Sequence, residues 1–295
     1  MLLKATFVLP NIKVGENVKD GILIINKEKD MTSHDVVAKA RKALSTKKIG
    51  HTGTLDPMAT GVLVLCVGAA TKLVDYLTCD EKMYDVEMQL GIRTDTGDIT
   101  GNIIEEKAVN IVEQYKEVFK SFIGKQKQIP PMYSAIKKDG VKLYELARKG
   151  IEIEREARDI EIFDIYNISD INESRIKFSV HCSKGTYIRV LCEDIAVKLG
   201  TVATMIALNR TKTGRFAISD AKYIDEISGE AIISMEKILE NSFEIKENMI
   251  NKLINGMTIK CELENGLYNL YCNDKYLGIG EVVNKNLKRK IIVEN

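Results

Sequence analysis

The chain has 295 residues, of which 45% are hydrophobic and 29% are charged, and its formal net charge is +1. These values are those of an ordinary globular protein, and they exclude a disordered chain, a collagen, a pure coiled coil and a histone-like polycation. At roughly 150 residues per domain, the length predicts about two domains.

Six cysteines are spread along the chain without a C-x-x-C pair, which disfavours a zinc site or a thioredoxin-like redox pair. Most of them stand in apolar runs, a use of cysteine that suits a reducing cytoplasm. The longest apolar run, residues 62–70, is far shorter than the roughly 20 residues that a membrane-spanning helix needs. Residues 1–20 have weak periodicity and no signal-peptide pattern, so we expect an extension ahead of a cytoplasmic protein that does not act in a membrane.

The predicted secondary structure starts with an apolar strand at residues 21–25. A helix follows, capped by Thr32 or Ser33, because apolar residues then recur at helical spacing. Alternating apolar residues predict the next strand, which contains Tyr84.

Three further elements are predicted in the middle of the chain. Asn110 and Glu113 resemble a capping box, which predicts a helix that ends at Gly124 and buries Val112, Tyr115, Phe119 and Phe122. Alternation at residues 176–182 predicts a strand, and the apolar stripe after it predicts a helix that stops at Gly200. Because strands and helices mix without a regular βαβ rhythm, the predicted fold class is α+β rather than a doubly wound sheet.

The residue pattern changes near residue 241, where short strand candidates alternate with turn residues. These candidates are residues 267–272, 276–283 and 290–293. We therefore predict three regions: an N-terminal extension at 1–20, a large domain at 21–240 and a small β-rich domain at 241–295.

Charge is distributed unevenly in spite of the nearly neutral total. Residues 120–150 include eight basic and two acidic residues, and residues 184–215 include six basic and two acidic residues. Residues 80–114, in contrast, include nine acidic and three basic residues. A basic face of this kind is what phosphate binding needs, because Lys and Arg displace the counterions of nucleic acids. A solvated surface without a ligand explains the charge alone equally well.

The segment most suggestive of chemistry is residues 50–61, GHTGTLDPMATG. Its glycines allow tight turns and the close approach of a ligand, although its spacing is not that of a phosphate-binding loop. Asp56 and Pro57 have a structural explanation, because Asp is favoured as a helix cap and Pro at the first helical position. The alternative is that Asp56 is a carboxylate nucleophile, which acts without a cofactor.

Residues 50–61 resemble the signature of the TruB family of tRNA pseudouridine synthases. Further blocks resemble that family in the same order along residues 21–221. They are KEKDMTSHDVV at 27–37, the block from Tyr84 to TDTGD at 94–98, QIPPMYSAIKKDGVKLYELARKG at 128–150, CSKGTYIRVLCEDIAVKLG at 182–200 and LNRTKTGRFAISDA at 208–221.

The resemblance implies the pseudouridine-synthase fold, which has a mixed, mostly antiparallel sheet flanked by helices. It also implies that the C-terminal module is a small PUA-like domain that binds RNA. The basic segment 120–150 falls where members of the family have an insertion that clamps the RNA, and we expect it to become ordered when RNA binds.

The resemblance further implies an isomerase that converts uridine-55 in the T-loop of tRNA to pseudouridine without a cofactor or a metal. The N-glycosidic bond breaks, the base rotates, and the base is rejoined through C5. By the same resemblance, Asp56 is the nucleophile, Arg189 pairs with it, and Tyr84 stacks on the flipped base and is a candidate proton acceptor. The residues implied to hold the substrate are His51, Tyr187, Leu208, Lys27 and Lys72.

The chemistry of these residue types agrees with those roles. A base must leave its stack before its glycosidic bond can be attacked, and an aromatic ring such as Tyr84 replaces the lost stacking. Burial raises the pKa of a carboxyl group, and a guanidinium, which can pair with Asp56 in bidentate geometry, opposes that rise. Taken alone, Tyr84 and Tyr187 are explained as core residues, Arg189 as a surface charge and His51 as a loop histidine.

Three positions depart from the family pattern. Glu28 and Asp30 stand where the family has Pro and Gly after Lys27, so the geometry of that turn is in question. Asn209 stands where the family has Arg, which removes one possible phosphate contact.

The expected protein acts alone, as a monomer that binds the T-arm of tRNA and needs no protein partner. Three alternatives remain open at this point. They are a guide-RNA-dependent relative in a ribonucleoprotein particle, a tRNA-binding folding factor, and an unrelated hydrolase with an Asp nucleophile. The hydrolase has the least support, because no second carboxylate stands in a recognisable general-acid motif.

Overall fold

A computed structural model describes residues 20–78, 81–110, 115–172 and 174–292, and six α-helices form in these ranges. They are α1 (Ser33–Ala43), α2 (Val74–Thr78), α3 (Tyr115–Lys120), α4 (Leu143–Ala147), α5 (Ile188–Lys198) and α6 (Glu247–Ile254). None of the helices in the described ranges has the length and apolar character that crossing a bilayer would take.

The same ranges contain nineteen β-strands. They are β1 (Gly21–Lys27), β2 (Ile49–His51), β3 (Thr60–Val67), β4 (Lys82–Leu90), β5 (Ile92–Thr94), β6 (Ile103–Glu106), β7 (Gly124–Gln128), β8 (Lys137–Lys138), β9 (Val141–Lys142), β10 (Arg158–Asn172), β11 (Arg175–Cys182), β12 (Ala203–Thr213), β13 (Phe216–Ala217), β14 (Ile233–Ser234), β15 (Ser242–Glu244), β16 (Ile259–Lys260), β17 (Gly266–Cys272), β18 (Lys275–Val283) and β19 (Asn286–Ile292).

Ten strands form one large sheet in the order β14-β1-β3-β12-β4-β11-β10-β7, with β13 beside β12 and β2 beside β3. The pair β3 and β12 is parallel, and the other pairs of this sheet are antiparallel. The predicted α+β class with a mixed, mostly antiparallel sheet is therefore confirmed. The strands predicted around Tyr84 and at residues 176–182 are β4 and β11, which lie next to each other.

Helix α1 begins where the sequence predicted, because Thr32 forms a reciprocal capping box with Asp35. The backbone N–H of Asp35 donates to Thr32 Oγ1 at 3.1 Å, and the backbone N–H of Thr32 donates to Asp35 Oδ2 at 2.8 Å. The next residue, Ser33, is buried and bonds the backbone of Leu55 through its hydroxyl. The start of α1 therefore holds the loop that contains Asp56.

The large sheet buries apolar side chains on both of its faces. On strand β1, Leu23 and Ile25 belong to a core with α1 and α5, whereas Ile22 and Ile24 point to a second core. The residues that the C-terminal strands contribute to that second core are Leu267, Ile279 and Ile291. The C-terminal strands and the large sheet therefore contribute to one shared core.

The C-terminal strands form a separate five-stranded sheet in the order β15-β17-β18-β19-β16. The strands predicted at 267–272 and 276–283 are confirmed as β17 and β18. The third strand begins at Asn286, earlier than predicted. The prediction missed its first residues because the charged residues at 288–290 separate the buried residues Leu287 and Ile291. The predicted domain limits at 20 and 240 stay a prediction, and residues 1–19 lie outside the described residues.

The helix predicted to end at Gly124 is only partly correct. Helix α3 buries Tyr115 and Phe119 as expected, but it ends at Lys120. Gly124 is instead the first residue of β7 and has a φ of 117°, so this glycine serves the entry into a strand rather than the end of a helix. The predicted capping residue Glu113 lies outside the described residues.

Candidate active site

A cavity of about 350 Å³ opens beside Asp56 at one end of the large sheet. Its lining comes from the loop after β2, from β4, from residues 134–136, from the start of α5 and from β12. It brings together five of the eight predicted site residues, which are Asp56, Tyr84, Tyr187, Arg189 and Leu208.

Asp56 lies in the loop between β2 and β3 and does not cap a helix. Residues 57–58 form a turn that the backbone N–H of Ala59 closes on the carbonyl oxygen of Asp56 at 3.0 Å, and β3 begins at Thr60. The capping interpretation of Asp56 is therefore wrong, because the chain enters a strand where a helix would have followed. The carboxylate is left free to face the cavity.

Gly61 allows β12 to approach this loop closely. It has a φ of 102°, and a side chain at this position would collide with the carbonyl oxygen of Arg210 on the parallel strand β12. A residue other than glycine would push β12 away from β3. Since Leu208 and Arg210 reach the cavity from β12, this glycine of the 50–61 segment helps to assemble the site.

Asp56 and Arg189 form an ion pair, with 3.0 Å between Asp56 Oδ2 and Arg189 Nε. The Arg189 side chain is 5% exposed, whereas that of Asp56 is 34% exposed. Both terminal nitrogens of Arg189 are used elsewhere, because Nη1 donates to the carbonyl oxygen of Thr96 at 2.8 Å and Nη2 to that of Tyr133 at 2.7 Å. The pair therefore forms through Nε and not as the bidentate fork that the sequence suggested.

The charges around Asp56 oppose one another. Burial raises the pKa of Asp56, and the Arg189 guanidinium works against that rise. Asp98, whose Oδ2 lies 3.9 Å from Arg189 Nη1, adds to the rise, and Lys27 opposes it. Without Arg189, the carboxyl group would thus take up a proton more readily.

Tyr84 and Tyr187 present two phenol rings to the same cavity. Tyr84 lies on β4 with only 8% exposure, and Tyr187 is the residue that precedes α5. Burial raises the pKa of both hydroxyl groups, so both phenols are neutral near pH 7. Leu208, also 8% exposed, supplies an apolar part of the lining.

Arg210 is a cavity residue that the sequence did not indicate. It is buried on β12 opposite Tyr84, where its Nε donates to the carbonyl oxygen of Val62 at 2.7 Å and its Nη2 to that of Gly53 at 3.1 Å. Its charge opposes the effect of burial on the pKa of Tyr84. No local pattern reveals it, because its partners come from other parts of the chain.

His51 lies on β2 just before the cavity-lining residues and does not itself line the cavity. Its ring meets that of His34 edge to face, with 5.5 Å between the ring centres. Burial lowers the pKa of His51 to about 4, with a further contribution from the charges of His34 and Arg210. His51 is therefore neutral at pH 7 and offers a hydrogen bond rather than a charge.

Lys27 is 0% exposed at the end of β1, and its expected place near the substrate stays a prediction. Its ammonium donates to the carbonyl oxygens of Glu28 at 2.9 Å, Met31 at 2.7 Å and Pro57 at 3.2 Å. It thereby ties the turn after β1 to the loop of Asp56. In that turn, Asp30 has a φ of 64°, so it adopts the left-handed conformation that the usual glycine would take.

We expect Lys27→Met to lower the free energy of unfolding by about 1–3 kcal/mol, because three carbonyl groups lose their donor. Burial lowers the pKa of Lys27 to about 8, from 10.5 in the unfolded chain. Between these values the unfolded chain binds more protons, so the stability of the wild type rises with pH there. The difference in the free energy of unfolding between wild type and Lys27→Met, measured by urea unfolding, should therefore grow from pH 8 to pH 10.5. The exposed Lys42→Met is the control, and an equal loss in both variants would contradict the prediction.

Lys72 does not line the Asp56 cavity. It is exposed in a short 3₁₀ segment, Gly68–Leu73, beside a second cavity that residues of the C-terminal sheet line. The expected contact of Lys72 with bound RNA stays a prediction. Among the described residues, no cluster of three or more His, Cys, Asp or Glu side chains is arranged to hold a metal ion.

The chain matches two family models in sequence. The model described as TruB family pseudouridylate synthase (N terminal domain) matches residues 41–188. The model described as tRNA pseudouridylate synthase B C-terminal domain matches residues 189–258.

Three curated relatives share the name tRNA pseudouridine synthase B. The protein of Clostridium perfringens strain 13 is 45% identical over 293 residues, which cover 93% of this chain and 99% of that protein. That of Clostridium kluyveri is 44% identical over 287 residues, with 92% and 98% covered. That of Fusobacterium nucleatum is 44% identical over 280 residues, with 91% and 97% covered.

Solved structures show the same fold at lower identity. A chain in the crystal structure of a Cbf5-Nop10-Gar1 complex is 26% identical and superposes with a TM-score of 0.66, covering 90% of this chain and 78% of that chain. A chain of an H/ACA RNP bound to a substrate RNA containing 2′-deoxyuridine is 24% identical, with a TM-score of 0.65 and the same coverage. The fold that the resemblance implied is thereby confirmed.

Proposed function

Since this chain belongs to the TruB family of pseudouridylate synthases and is thus an isomerase, we propose that it converts uridine-55 in the T-loop of tRNA to pseudouridine. Asp56 is the nucleophile in this proposal. The relatives that cover nearly the whole chain are named as tRNA enzymes, which supports tRNA as the substrate.

One observation carries the proposal: a carboxylate faces a cavity and is paired with a buried arginine. The 3.0 Å contact between Asp56 and Arg189 favours the charged form of the carboxyl group and opposes the rise in its pKa that burial causes. An ionised carboxylate is the form that can attack carbon. Tyr84 and Tyr187 border the same space, so a base that has left its stack would find aromatic rings there.

The reaction needs only groups that the site offers. The bond between N1 of uracil and C1′ of the ribose breaks while Asp56 forms and later releases a covalent bond to the substrate. The base turns and C5 bonds to C1′, after which C5 loses a proton and N1 gains one, so the atoms balance. Tyr84 stacks on the base and is the candidate acceptor of the C5 proton, a role that it can fill only as the phenolate, because a neutral phenol is a very weak base. Leu208 packs against the base, and Tyr187 and the neutral His51 hold the nucleotide and the loop.

The main alternative is a guide-dependent enzyme, because the solved structures of similar fold are an H/ACA RNP bound to a substrate RNA and a Cbf5-Nop10-Gar1 complex. The higher identity to the curated tRNA pseudouridine synthase B proteins, 45% against 26% for the Cbf5-Nop10-Gar1 chain, supports the proposal of an enzyme that acts alone as a monomer. The five described cysteines outside any disulfide support action in a reducing compartment, which we propose to be the cytoplasm.

The test uses the purified chain and an unmodified tRNA transcript without guide RNA, partner protein or added metal. We expect pseudouridine at the T-loop uridine, and none in a transcript that has cytidine there. An isolated T-arm should also react if that arm carries the recognition. Conversion at another uridine would overturn the specificity, and no conversion until a guide RNA is added would favour the alternative.

The exposed lysines of the β8–β9 hairpin should contribute to RNA binding. Lys137 and Lys138 lie in the basic segment 120–150, directly after residues that line the Asp56 cavity. We expect the double change Lys137→Gln and Lys138→Gln to weaken tRNA binding. The negative slope of log K against log salt should also become shallower by about 1–2, because fewer phosphate contacts remain. Filter binding between 50 and 300 mM salt measures both.

Lys177→Gln is the matched control for this experiment. Lys177 is also exposed, but it pairs with Glu87 at 3.7 Å where β4 and β11 adjoin, and it does not line the cavity. An unchanged slope in the double variant, or an equal change in the control, would show that the hairpin does not contact the RNA.

A further inference from the structure

The start of helix α5 lacks a side-chain cap of its own. Tyr187 is the N-cap residue, and its side chain makes no capping hydrogen bond. Arg189 lies in the first turn of α5, so the position of this turn determines the point from which the Arg189 side chain extends. An uncapped first turn frays easily, and the site therefore needs another group to hold it.

Gln128 supplies that hold through both ends of its side-chain amide. Its Nε2 donates to the carbonyl oxygen of Tyr187 at 3.1 Å, and the backbone N–H of Tyr187 donates to Gln128 Oε1 at 2.8 Å. The same carbonyl oxygen also accepts the first helical bond, from the N–H of Leu191 at 3.1 Å. The amide thus pairs with the N-cap residue as a neighbouring strand would.

Gln128 is itself fixed in position. It is 4% exposed, it is the last residue of β7, and its backbone pairs with Arg158 on β10. A buried amide that is bonded on both sides cannot turn without breaking two hydrogen bonds. Gln128 therefore connects the edge strand of the large sheet rigidly to the start of α5.

A second contact joins the same two segments. Arg189 Nη2 donates to the carbonyl oxygen of Tyr133 at 2.7 Å, and Tyr133 follows Gln128 by five residues. Residues 128–133 therefore hold residues 187–189 at two points, one on the backbone and one on the guanidinium. The basic segment continues directly from this attachment.

We propose that Gln128 is a positioning residue for the isomerisation: by fixing the backbone of Tyr187, it sets the place from which Arg189 reaches Asp56. This inference rests on the proposed function. It assigns no contact between Gln128 and the substrate, since Gln128 does not line the Asp56 cavity.

Two substitutions separate positioning from general stability. Gln128→Leu removes both hydrogen bonds at similar volume. Gln128→Glu keeps the shape, and its protonated form offers one donor and one acceptor as the amide does, whereas its ionised form can only accept. The control is Asn269→Leu, which removes a buried amide with two bonds to carbonyl groups, those of Glu236 and Leu239, in the C-terminal part.

Single-turnover rates with saturating enzyme are the first readout. We expect Gln128→Leu to lower the rate by about 10- to 100-fold, because small misplacements of catalytic groups have effects of this size. Affinity for tRNA should stay within about threefold, since no substrate contact is lost. Asn269→Leu should lower the melting temperature without lowering the rate.

The pH dependence gives a readout that a loss of stability alone does not move. Relative to wild type at each pH, Gln128→Glu should be most active at the acidic end and lose activity as its carboxyl group ionises. A constant ratio across the pH range would overturn the inference, and so would a wild-type rate in Gln128→Leu.

Hydrogen exchange separates this inference from the proposed function. The amides at residues 187–191 should exchange faster in Gln128→Leu and stay protected in Asn269→Leu, whether or not the wild type converts tRNA. If these amides exchange faster in Gln128→Leu but the wild type does not convert tRNA, the proposed function is refuted and the attachment of α5 to Gln128 stands. Unchanged exchange would refute the attachment even if the wild type is active.

Discussion

Asp56→Asn should abolish pseudouridine formation, with a fall in the single-turnover rate of at least about 10⁴-fold, as is typical when a nucleophile is removed. The amide has nearly the same shape, and its oxygen can still accept a hydrogen bond from Arg189 Nε, so the cavity should keep its form. Binding of tRNA should therefore stay within about threefold of wild type, because binding depends mainly on phosphate contacts elsewhere. Pseudouridine mapping and filter binding on the same samples measure the two effects.

Asp85→Asn is the matched control for this variant. Asp85 follows Tyr84 on β4 and points to the opposite face of the strand, where it accepts a hydrogen bond from Ser179 at 2.7 Å. We expect it to keep its rate within about threefold of wild type. Turnover by Asp56→Asn that cannot be attributed to residual wild type would remove Asp56 from its assigned role.

The second large effect is expected from Arg189. Its guanidinium bonds Asp56, Thr96 and Tyr133 at the same time through three different nitrogens, and a lysine ammonium at the end of a flexible chain cannot reproduce these three contacts. Arg189→Lys should therefore lower the single-turnover rate by about 10²- to 10³-fold. The surface change Arg93→Lys, which retains a charge beside Glu105, should have little effect.

The pH dependence gives the sign of the electrostatic contribution. Arg189 lowers the pKa of Asp56 against the rise that burial causes. In Arg189→Met that opposition is lost, so Asp56 ionises only at higher pH and the rising limb of the rate profile moves to higher pH. In Arg189→Lys the charge remains and the limb should move less. A limb that stays in place in Arg189→Met would mean that Arg189 does not keep Asp56 charged.

Folding must be checked in both arginine variants, because two carbonyl groups lose their donor when Arg189 is replaced. Circular dichroism melting and tRNA affinity serve this purpose. A variant that melts like wild type and binds tRNA but turns over slowly supports the assigned role. A near-wild-type rate in Arg189→Lys would show that the ion pair is not needed for the reaction.

Local patterns predicted the elements that carry the site. Strand β11 follows the alternation read at residues 176–182, and α5 is followed by Gly200 in a left-handed conformation. The approach of Asp56 and Arg189 was predicted only through the family resemblance, because the two residues are far apart in the chain. Their 3.0 Å contact agrees with that expectation.

Other features of the site could not be predicted from residue types. The partners of Lys27 are backbone carbonyls, which every residue has, and a lysine is almost never fully buried. The link between Gln128 and Tyr187 spans 59 positions and uses backbone atoms of Tyr187. Arg210 likewise donates to the backbone carbonyl oxygens of Val62 and Gly53, which no sequence pattern can indicate.

The second core beneath strands β1 and β3 means that the two regions of the sequence are one unit of folding. Ile22, Ile24, Val62 and Val64 share this core with Leu267, Ile279 and Ile291 of the C-terminal sheet, so removing residues 242–292 would take away part of the core and expose apolar side chains to water. A truncated chain of that kind should associate or precipitate rather than persist as a free catalytic fragment. Calorimetry of the intact protein should accordingly give a single heat-absorption peak, because neither sheet can melt and leave the other with a complete interior.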